Sequence, residues 1–364
     1  MKEKIELSVI PQRSKSIPTT SVDKKVSGKD YLFYGEDNTY PDYLWELYLN
    51  CSTLGSIING TVDYVSGNEV SIGIDRFAKE VNREGETISD IYRKIAVDEE
   101  VFGGFALQIL RDSNGDVSEL YWLDMRNIRL DEDKTKCFYC EKWNKYGVKA
   151  TEYELFDPSK KQSNSVYYHR GHISRGVYPI PRWVSGIKSV ETAIEIDNFH
   201  LNNILNNLAP SAIINFNNGI PSEEEKRRIE NKIREKFSGT DNAGQFMLVF
   251  NDNSENGVTI TRLAEDGQDK KFETLSKDTR DNIFISCRAI PELFGIKAEG
   301  NGFTSEEYLQ SYALYEKTVV TPIQKDINRA FEKIFGVDNV ITNHPFNLYK
   351  VDSTGSEEQL NKEE

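Results

Sequence analysis

Two cysteines three residues apart are the most metal-like feature of this chain of 364 residues. Cys137 and Cys140 have the Cys-x-x-Cys spacing of many zinc sites. Structural zinc takes four ligands, however, and the candidates His169 and His172 lie on or just after a predicted strand. Residues i and i+3 of a strand point to opposite faces, so these two histidines do not complete a site. We therefore expect ordinary strand cysteines and no metal, and four cysteines in all do not form a disulfide framework.

Other residue types that do chemistry lack a recognisable arrangement in the sequence. His200 stands alone in an apolar, Asn-rich helical segment and is expected to be packed or to lie at an interface. The run Asp98-Glu99-Glu100 is one of many carboxylate clusters among 59 acidic residues and does not mark an acid/base pair. The chain has no Gly-x-x-x-x-Gly-Lys-Ser/Thr loop, and Gly103-Gly104 and Gly300-Asn-Gly302 are not dinucleotide fingerprints. We expect no enzyme activity and no cofactor.

Composition limits the class of protein. The formal net charge is −14, which argues against a protein that wraps nucleic acid by neutralising phosphates. An acidic surface remains compatible with guiding DNA without gripping it. No apolar run approaches the length of a membrane span, and no apolar segment follows the start Met-Lys-Glu-Lys-Ile-Glu. We expect a protein that stays in the cytoplasm of the producing cell and has no membrane partner.

The first half of the sequence predicts a mixed α+β domain over residues 36–183. Residues 1–35 are polar and predict a flexible N-terminal arm. Apolar residues recur every three or four positions over 41–65, and a second helix is predicted over 89–102. Alternating apolar residues then predict five strands: 105–110, 117–123, 137–143, 151–156 and 165–169.

The second half predicts two rods around a small insert. A helix over 189–208 precedes the insert 209–265, which contains strands and one charged helix capped by Ser222 and Glu225. A second helix is predicted over 275–294, and an antiparallel pair with the insert at its far end is the simplest geometry. The Gly-rich segment 295–303 then leads to a helix over 304–335, capped by Thr304 and Glu307 and kinked at Pro322.

Three segments, in order and at similar spacing, resemble the portal proteins of tailed bacteriophages. Residues 30–48 (DYLFYGEDNTYPDYLWELY) look like the entry to the first helix of many such proteins, and 56–68 (SIINGTVDYVSGN) continue that pattern. Residues 289–296 (AIPELFGI), followed by a loop and Ser305-Glu-Glu, are similar to the segment before the family's last long helix. The resemblance covers most of residues 30–336.

The resemblance implies an α+β fold of the portal type: a mixed α+β wing, an antiparallel two-helix stem, a small β-α-β clip and a long kinked C-terminal helix. The implied boundaries are 1–35 for the arm, 36–183 for the wing, 184–208 and 266–294 for the stem helices, 209–265 for the clip, 295–303 for the tunnel loop, 304–336 for the kinked helix and 337–364 for a short tail. With only this tail after Gly336, we do not expect a large helical crown.

The resemblance also implies a function. Portal proteins form closed rings, typically of twelve subunits, at one capsid vertex, and the ring is the channel for packaging and ejection of double-stranded DNA. The implied partners are other copies of the chain, non-specifically bound double-stranded DNA, the terminase large subunit, the head–tail adaptor, and the major capsid and scaffolding proteins. The protein would belong to the virion and would occupy the host cytoplasm during assembly.

Two sets of residues are the implied functional sites. The tunnel loop would present Lys297, Glu299 and Asn301 to moving DNA, because polar side chains on a Gly-rich segment contact phosphates without reading sequence. The clip would dock the motor and later the adaptor through a helix that carries charges of both signs. Its candidate residues are Glu223, Glu224, Arg227, Arg228, Lys232 and Arg234.

Two alternatives remain open at the level of sequence. One is another phage head–tail or minor structural protein with a similar helix–insert–helix design. The other is a carboxylate-based hydrolase or nuclease of mixed α+β fold. Particle size separates the last from a portal, since a portal predicts a ring and a nuclease is compatible with a monomer.

Overall fold

A computed structural model describes residues 23–25, 28–143, 145, 149–173, 176–206, 210–216, 222, 224–225, 227–228, 245–250, 259–262, 268–296, 304–346, 349–351 and 357–359. The chain forms two units. Residues 1–185 and 286–364 build the first unit, and residues 186–285 build the second. The second unit is therefore an insertion into the sequence of the first.

The N-terminal segment joins the fold earlier than its polar sequence suggests. Strand β1 (Lys24–Lys25) pairs antiparallel with β2 (Leu32–Phe33). Tyr34 is buried, donates a hydrogen bond from its hydroxyl to the carbonyl of Pro179 at 2.8 Å, and stacks on Tyr178 with ring centroids 4.1 Å apart. Leu32 and Tyr34, at the end of the arm predicted over 1–35, are buried in the core.

The first predicted helix is two helices in the structure. Helix α1 (Tyr40–Asn50) and helix α2 (Ser52–Ser66) meet at Cys51, whose φ of −101° and ψ of 107° are extended. The Cys51 N–H donates to the carbonyl of Leu47, and its carbonyl accepts from the N–H of Gly55, so this one residue caps both helices. The apolar spacing continues across the break, which is why periodicity alone predicted one helix over 41–65.

Helix α3 (Ile88–Phe102) follows β3 (Glu69–Ile72) and a short 3-10 turn at Asp75–Phe77. Thr87 and Asp90 form a reciprocal capping box at its start. Gly103 ends the helix with a φ of 81°, and a Cβ there would lie 2.4 Å from the carbonyl oxygen of Ile180. Glycine is required at this position by both its backbone angle and the close approach of the chain.

Two three-stranded antiparallel sheets follow α3. In the first, β4 (Ala106–Arg111) lies between β5 (Val117–Leu123) and β9 (Asn164–Tyr168). The second has the order β6 (Ile128–Leu130), β7 (Lys136–Tyr139) and β8 (Thr151–Glu154), and β6 follows a 3-10 turn at Met125–Asn127. A single bridge between Leu155 and Val166 joins the sheets. All five strands predicted in this region are present, whereas β6 was not predicted.

The described residues of the second unit include two long helices and a three-stranded sheet. Helix α4 (Ile187–Asn206), which follows a 3-10 turn at Val184–Gly186, leads to β10 (Pro210–Phe216). This strand pairs parallel with β11 (Gln245–Phe250) and antiparallel with β12 (Thr259–Arg262), ahead of α5 (Gln268–Cys287). Parallel pairing of β10 with β11 needs a long crossover, and helical residues 224–225 and 227–228 lie in that connection.

Helices α4 and α5 of the second unit contact each other through aromatic rings. Phe199 of α4 stacks on Phe272 of α5, with ring centroids 5.0 Å apart. Ala212 pairs with Arg262, so the chain leaves α4 and enters α5 through neighbouring positions of the sheet. The ring contact joins the C-terminal half of α4 to the N-terminal half of α5, and the antiparallel pairing of the two helices stays a prediction.

Helix α5 starts and ends earlier than the predicted helix over 275–294. It stops at Cys287, Arg288 has a φ of 57°, and Ile290 is extended. A proline disfavours helical geometry in the residue before it, so the Pro291–Phe294 segment forms a separate 3-10 turn.

The last long helix contains a π-helical turn. Helix α6 (Ser305–Tyr315) continues through the π segment Glu316–Val320 into α7 (Thr321–Phe335). Pro322 cannot donate a backbone hydrogen bond and its ring crowds the preceding turn, which the wider π turn accommodates. The irregularity predicted at Pro322 thus begins six residues before it.

The C-terminal segment is not only a tail. Strand β13 (Ile341–His344) pairs antiparallel with β3, and β14 (Tyr349–Val351) pairs with β15 (Glu357–Gln359). The β3–β13 ladder joins the C-terminal part of the first unit to its N-terminal part. The core of this unit includes the fully buried Trp183, Tyr40, Tyr92, Phe102 and Phe331. No helix in the described ranges combines the length and apolar content needed to cross a membrane.

Candidate functional site

The segment predicted to contact DNA lies between two well-anchored elements of the first unit. Lys297, Glu299 and Asn301 themselves fall outside the described residues. The described chain stops at Ile296 and resumes at Thr304. What the structure shows is how the two ends of this segment, which we call the 297–303 segment, are held.

The N-terminal anchor is the 3-10 turn Pro291–Phe294. The turn terminates at Gly295, which has a φ of 81°. The Ile296 N–H then donates a hydrogen bond to the carbonyl of Pro291 at 3.1 Å. The ring of Phe294 packs against helix α2 at Gly60, where an added Cβ would lie 2.7 Å from the ring. The missing side chain at Gly60 therefore makes room for Phe294.

The C-terminal anchor is the start of α6. The Thr304 side chain accepts from the Glu307 N–H at 3.3 Å, and the Glu307 carboxylate accepts from the Thr304 N–H at 3.0 Å. This reciprocal pair is the capping box predicted from sequence. Further along, Tyr315 is buried, and its hydroxyl lies 2.7 Å from the Thr61 hydroxyl of α2.

Tyr64 of α2 contacts both anchors. Its hydroxyl donates to the carbonyl of Leu293 at 3.1 Å, just before the 297–303 segment. Its ring lies 5.6 Å from Tyr312 and 5.8 Å from Tyr315, after that segment. Burial raises the pKa of the Tyr64 hydroxyl, which stays a protonated donor. One helix thus holds both ends of the 297–303 segment, which sequence patterns could not reveal.

The candidate docking residues are only partly described. Glu224, Arg227 and Arg228 are exposed on helical backbone of the second unit. Ser222 and Glu225 make the predicted reciprocal cap, with the Ser222 N–H donating to the Glu225 carboxylate at 3.2 Å and the Glu225 N–H donating to the Ser222 hydroxyl at 3.4 Å. Glu223, Lys232 and Arg234 lie outside the described residues. The three described charges are exposed to solvent, and their docking role stays a prediction.

Three consecutive carboxylates of α3 have structural roles that the sequence did not indicate. Asp98 accepts from the indole N–H of Trp122 at 2.7 Å, and Glu100 pairs with Arg182. Glu99 is 5% exposed, and its Oε2 lies 3.9 Å from Nε2 of His169. Neither of these last two atoms has a hydrogen-bond partner.

The pKa values of this buried pair shift in opposite directions. Burial raises the pKa of the Glu99 carboxyl to about 8, although Arg182 opposes the shift. Burial lowers the pKa of the His169 imidazole to about 4, with Asp326 opposing. Both groups are therefore neutral near pH 7, which removes the cost of burying two isolated charges.

The two cysteines of the Cys-x-x-Cys pair are buried, whereas His200 is exposed beside two aromatic rings. Cys137 and Cys140 are buried free thiols, and burial raises the pKa of Cys137 to about 12, so it is not a thiolate near neutral pH. His200 contacts the rings of Phe199 and Phe272. Within the described part of the chain, no three His, Cys, Asp or Glu side chains come together in a way that could hold a metal ion.

Comparison with known proteins identifies the family. The phage portal protein family matches residues 77–360, which include the whole second unit, part of the first unit and the 297–303 segment. The chain belongs to the phage portal protein family. This confirms the predicted family; of the three segments that resemble it, 289–296 lies within the matched residues. The portal family is structural rather than enzymatic.

Curated relatives cover a smaller part of the chain. An uncharacterised protein of Rickettsia felis is 27% identical over 168 residues, covering 43% of this chain and 42% of the relative. An uncharacterised protein of Rickettsia bellii is 25% identical over 197 residues, covering 51% of this chain and 48% of the relative. The matched region therefore spans about half the length of these relatives.

Solved structures similar to this chain share the portal fold. A chain of the virion of a native gene transfer agent particle has a TM-score of 0.60 at 14% identity, covering 86% of this chain and 84% of that one. The neck of the native particle, computed with C12 symmetry, gives 0.61 at 13%, covering 84% and 83%. An HK97-family phage portal protein from Corynebacterium diphtheriae gives 0.50 at 12%, covering 81% and 92%. The mixed α+β portal fold is thereby established.

Proposed function

We propose that this chain is a portal subunit that assembles into a closed ring of about twelve copies at one vertex of a phage or phage-like capsid. The observation that carries the proposal is the family match over residues 77–360. The similarity to a neck chain computed with C12 symmetry supports the ring and its order. The ring belongs to the virion and contacts the major capsid protein. During assembly in the host cytoplasm it also contacts the scaffolding protein.

The ring provides a channel for double-stranded DNA during packaging and ejection. Its net charge of −14 per subunit suits passage without tight binding, because an acidic wall repels phosphates. The 297–303 segment acts as a tunnel loop, in which Lys297, Glu299 and Asn301 contact the DNA backbone. Both ends of the segment contact α2, which supports this role. A loop that contacts moving DNA needs firmly held ends, because force on the loop would otherwise displace the residues on either side of it.

The second unit supplies the stem and the clip. In this proposal α4 and α5 are stem helices, and the sheet between them, with its charged crossover, is the clip. Exposed charges of both signs at Glu224, Arg227 and Arg228 favour a polar docking surface. The terminase large subunit binds there during packaging, and the head–tail adaptor replaces it afterwards. The ATPase activity belongs to the motor and not to this chain.

Particle mass tests the proposal directly. Light scattering of the purified protein is expected to give about twelve times the subunit mass of 41.7 kDa, and negative-stain micrographs should show end-on rings with a central hole. A monomer at every concentration would contradict the proposal. Metal-dependent cleavage of DNA by that monomer would favour the nuclease alternative instead.

A further inference from the structure

A cleft of about 390 Å³ opens beside strand β9 of the first unit. Five consecutive residues, 166–170, line it, together with Leu155 and Phe156, which follow β8. A strand seen on its face shows only alternate side chains, because successive residues point to opposite sides. A cleft that touches five residues in a row therefore faces the edge of the strand.

That edge is paired for only part of its length. The inner edge of β9 pairs with β4, and the Phe105 carbonyl continues the ladder by accepting from the His169 N–H at 2.8 Å. On the outer edge, the Phe156 N–H donates to the Val166 carbonyl at 2.8 Å, after which the chain turns away at residues 157–160. No strand in the described ranges pairs with the outer edge at Tyr168 and Arg170.

The cleft is positively charged in an acidic chain. Lys134, Arg170 and Lys333 line it, and its described lining contains no Asp or Glu. The nearby carboxylate of Asp23 is engaged by the backbone N–H of Val177. Three lysine and arginine side chains around one cleft, in a protein with a net charge of −14, favour an acidic ligand.

Apolar side chains line part of the cleft. Leu130, Val166 and Val177 line it, and Phe156 packs edge-on against Tyr167 with ring centroids 5.8 Å apart. A ligand for this site therefore combines negative charge with apolar side chains, and the outward peptide groups of Tyr168 and Arg170 offer hydrogen-bonding partners for its backbone.

We propose that the cleft binds an extended acidic segment of a partner protein, which adds to the sheet as a strand beside β9. Its backbone would pair with the outward peptide groups of Tyr168 and Arg170, as in other cases of strand addition. Its acidic side chains would meet Lys134, Arg170 and Lys333, and its apolar side chains would fill the interior. A nucleic acid fits less well, because a strand edge alternates N–H donors with C=O acceptors and phosphates only accept.

A fluorescein-labelled peptide with the repeat Glu-Val-Glu-Val-Glu-Val provides the probe. Fluorescence anisotropy with the assembled full-length protein is expected to show saturable binding that weakens as salt is raised from about 50 mM to about 300 mM. The Lys-Val repeat should not bind, because its charge matches that of the cleft. A Glu-Val repeat with methylated backbone nitrogens should bind at least about tenfold more weakly, because it cannot donate to the strand edge.

Protein variants localise the binding. Lys333→Glu is expected to weaken binding of the Glu-Val peptide about tenfold, whereas Lys325→Glu, an exposed site on the same helix outside the cleft, should leave it unchanged. Arg170→Pro removes one outward N–H and one charge and should weaken binding at least as much. Circular dichroism of each variant shows that the fold is retained.

Several outcomes would overturn the proposal. They are absence of binding by the Glu-Val peptide, equal losses in Lys333→Glu and Lys325→Glu, and full affinity of the methylated peptide. Displacement of the peptide by single-stranded DNA at equal charge would show a general anion site instead. None of these measurements depends on the number of subunits in the ring.

Discussion

Three acidic residues of the first unit show how the free-energy cost of burying carboxyl groups is reduced. Asp98, Glu99 and Glu100 follow one another on α3 but meet an indole N–H, an imidazole and a guanidinium, respectively. Only Glu100 has a cationic partner in direct contact. Glu99 is neutral instead, because burial raises its pKa to about 8 while that of His169 falls to about 4. The cluster therefore fixes α3 against the chain after β9 without a buried charge at its centre.

The raised pKa of Glu99 leads us to expect a specific dependence of the folded protein's stability on pH. In the folded protein Glu99 keeps its proton up to about pH 8, whereas the unfolded chain loses it near 4.5, so its contribution falls as pH rises through this range. His169 acts in the opposite sense between 6.5 and about 4, where the unfolded chain takes up a proton first. From pH 6.5 to 8 only Glu99 of this pair acts, and its loss amounts to roughly 2 kcal/mol.

Glu99→Gln tests this dependence. The amide is uncharged at every pH and can donate to His169, so the variant should unfold about 5 °C higher than the wild type at pH 8 and at nearly the same temperature at pH 5. Thermal unfolding followed by circular dichroism across pH 5–8 measures the difference. Glu46→Gln, an exposed site on α1, serves as the control and should leave the profile unchanged. A parallel shift of Glu99→Gln at all pH values would rule out the titration.

Between elements, the contact of α2 with the turn Pro291–Phe294 determines where the 297–303 segment begins. Gly60→Ala is normally favourable in a helix by about 1 kcal/mol. Here the new Cβ would lie 2.7 Å from the Phe294 ring, so we expect a net loss of about 1–2 kcal/mol in the free energy of unfolding. Urea unfolding of the variant measures this change.

A second substitution separates crowding from other effects. Phe294→Leu shortens the side chain that Gly60→Ala would meet, so the double variant should lose less stability than the sum of the two single variants. Strict additivity would show that Gly60 does not act through Phe294. Limited proteolysis at the 297–303 segment provides a second readout, since displacement of Phe294 should speed cleavage there.

Elements with strong local signals were predictable from sequence, and long-range ones were not. Thr304 with Glu307 and Ser222 with Glu225 mark helix starts because both partners lie within one turn. The pairing of β3 with β13 could not be read from the sequence, since these are four-residue strands about 270 positions apart. The break at Cys51 was missed because the apolar period continues through it.

The candidate site shows the same limit. The spacing of glycines located the 297–303 segment, but the role of Tyr64 rests on a hydrogen bond to Leu293 that spans 229 positions. The buried state of Glu99 was equally invisible, because its neighbours Asp98 and Glu100 look like an ordinary acidic surface in sequence. Packing against distant segments decides both cases, and no local pattern records it.

At the scale of the whole molecule, a ring repeats every exposed feature of one subunit around a circle. Charges that are weak individually then act together on a partner that spans several subunits. Arg227→Glu with Arg228→Glu is therefore expected to leave the ring intact and to reduce binding of the terminase large subunit at least about tenfold.

Pull-down with purified rings, alongside particle mass from light scattering, checks this expectation. Lys79→Glu with Lys325→Glu makes the same change of charge at exposed sites of the first unit and should preserve binding. Equal losses in both double variants would point to net charge rather than to the second unit. Loss of the ring itself in the Arg227 and Arg228 variant would place these residues between subunits.

The 297–303 segment permits the most direct test of the channel. Replacing residues 297–302 with Gly and Ser keeps the chain length and leaves Tyr64, Phe294 and the Thr304 cap untouched, so ring assembly should be normal. If this segment is the proposed tunnel loop, packaging and retention of DNA should fall severalfold, because the variant lacks the side chains proposed to contact the phosphate backbone. A Gly/Ser replacement of the exposed turn 158–161 controls for a loosened loop elsewhere. Normal packaging by the first variant would show that the 297–303 segment does not contact the DNA. Equal defects in both variants would indicate a general loss of particle assembly.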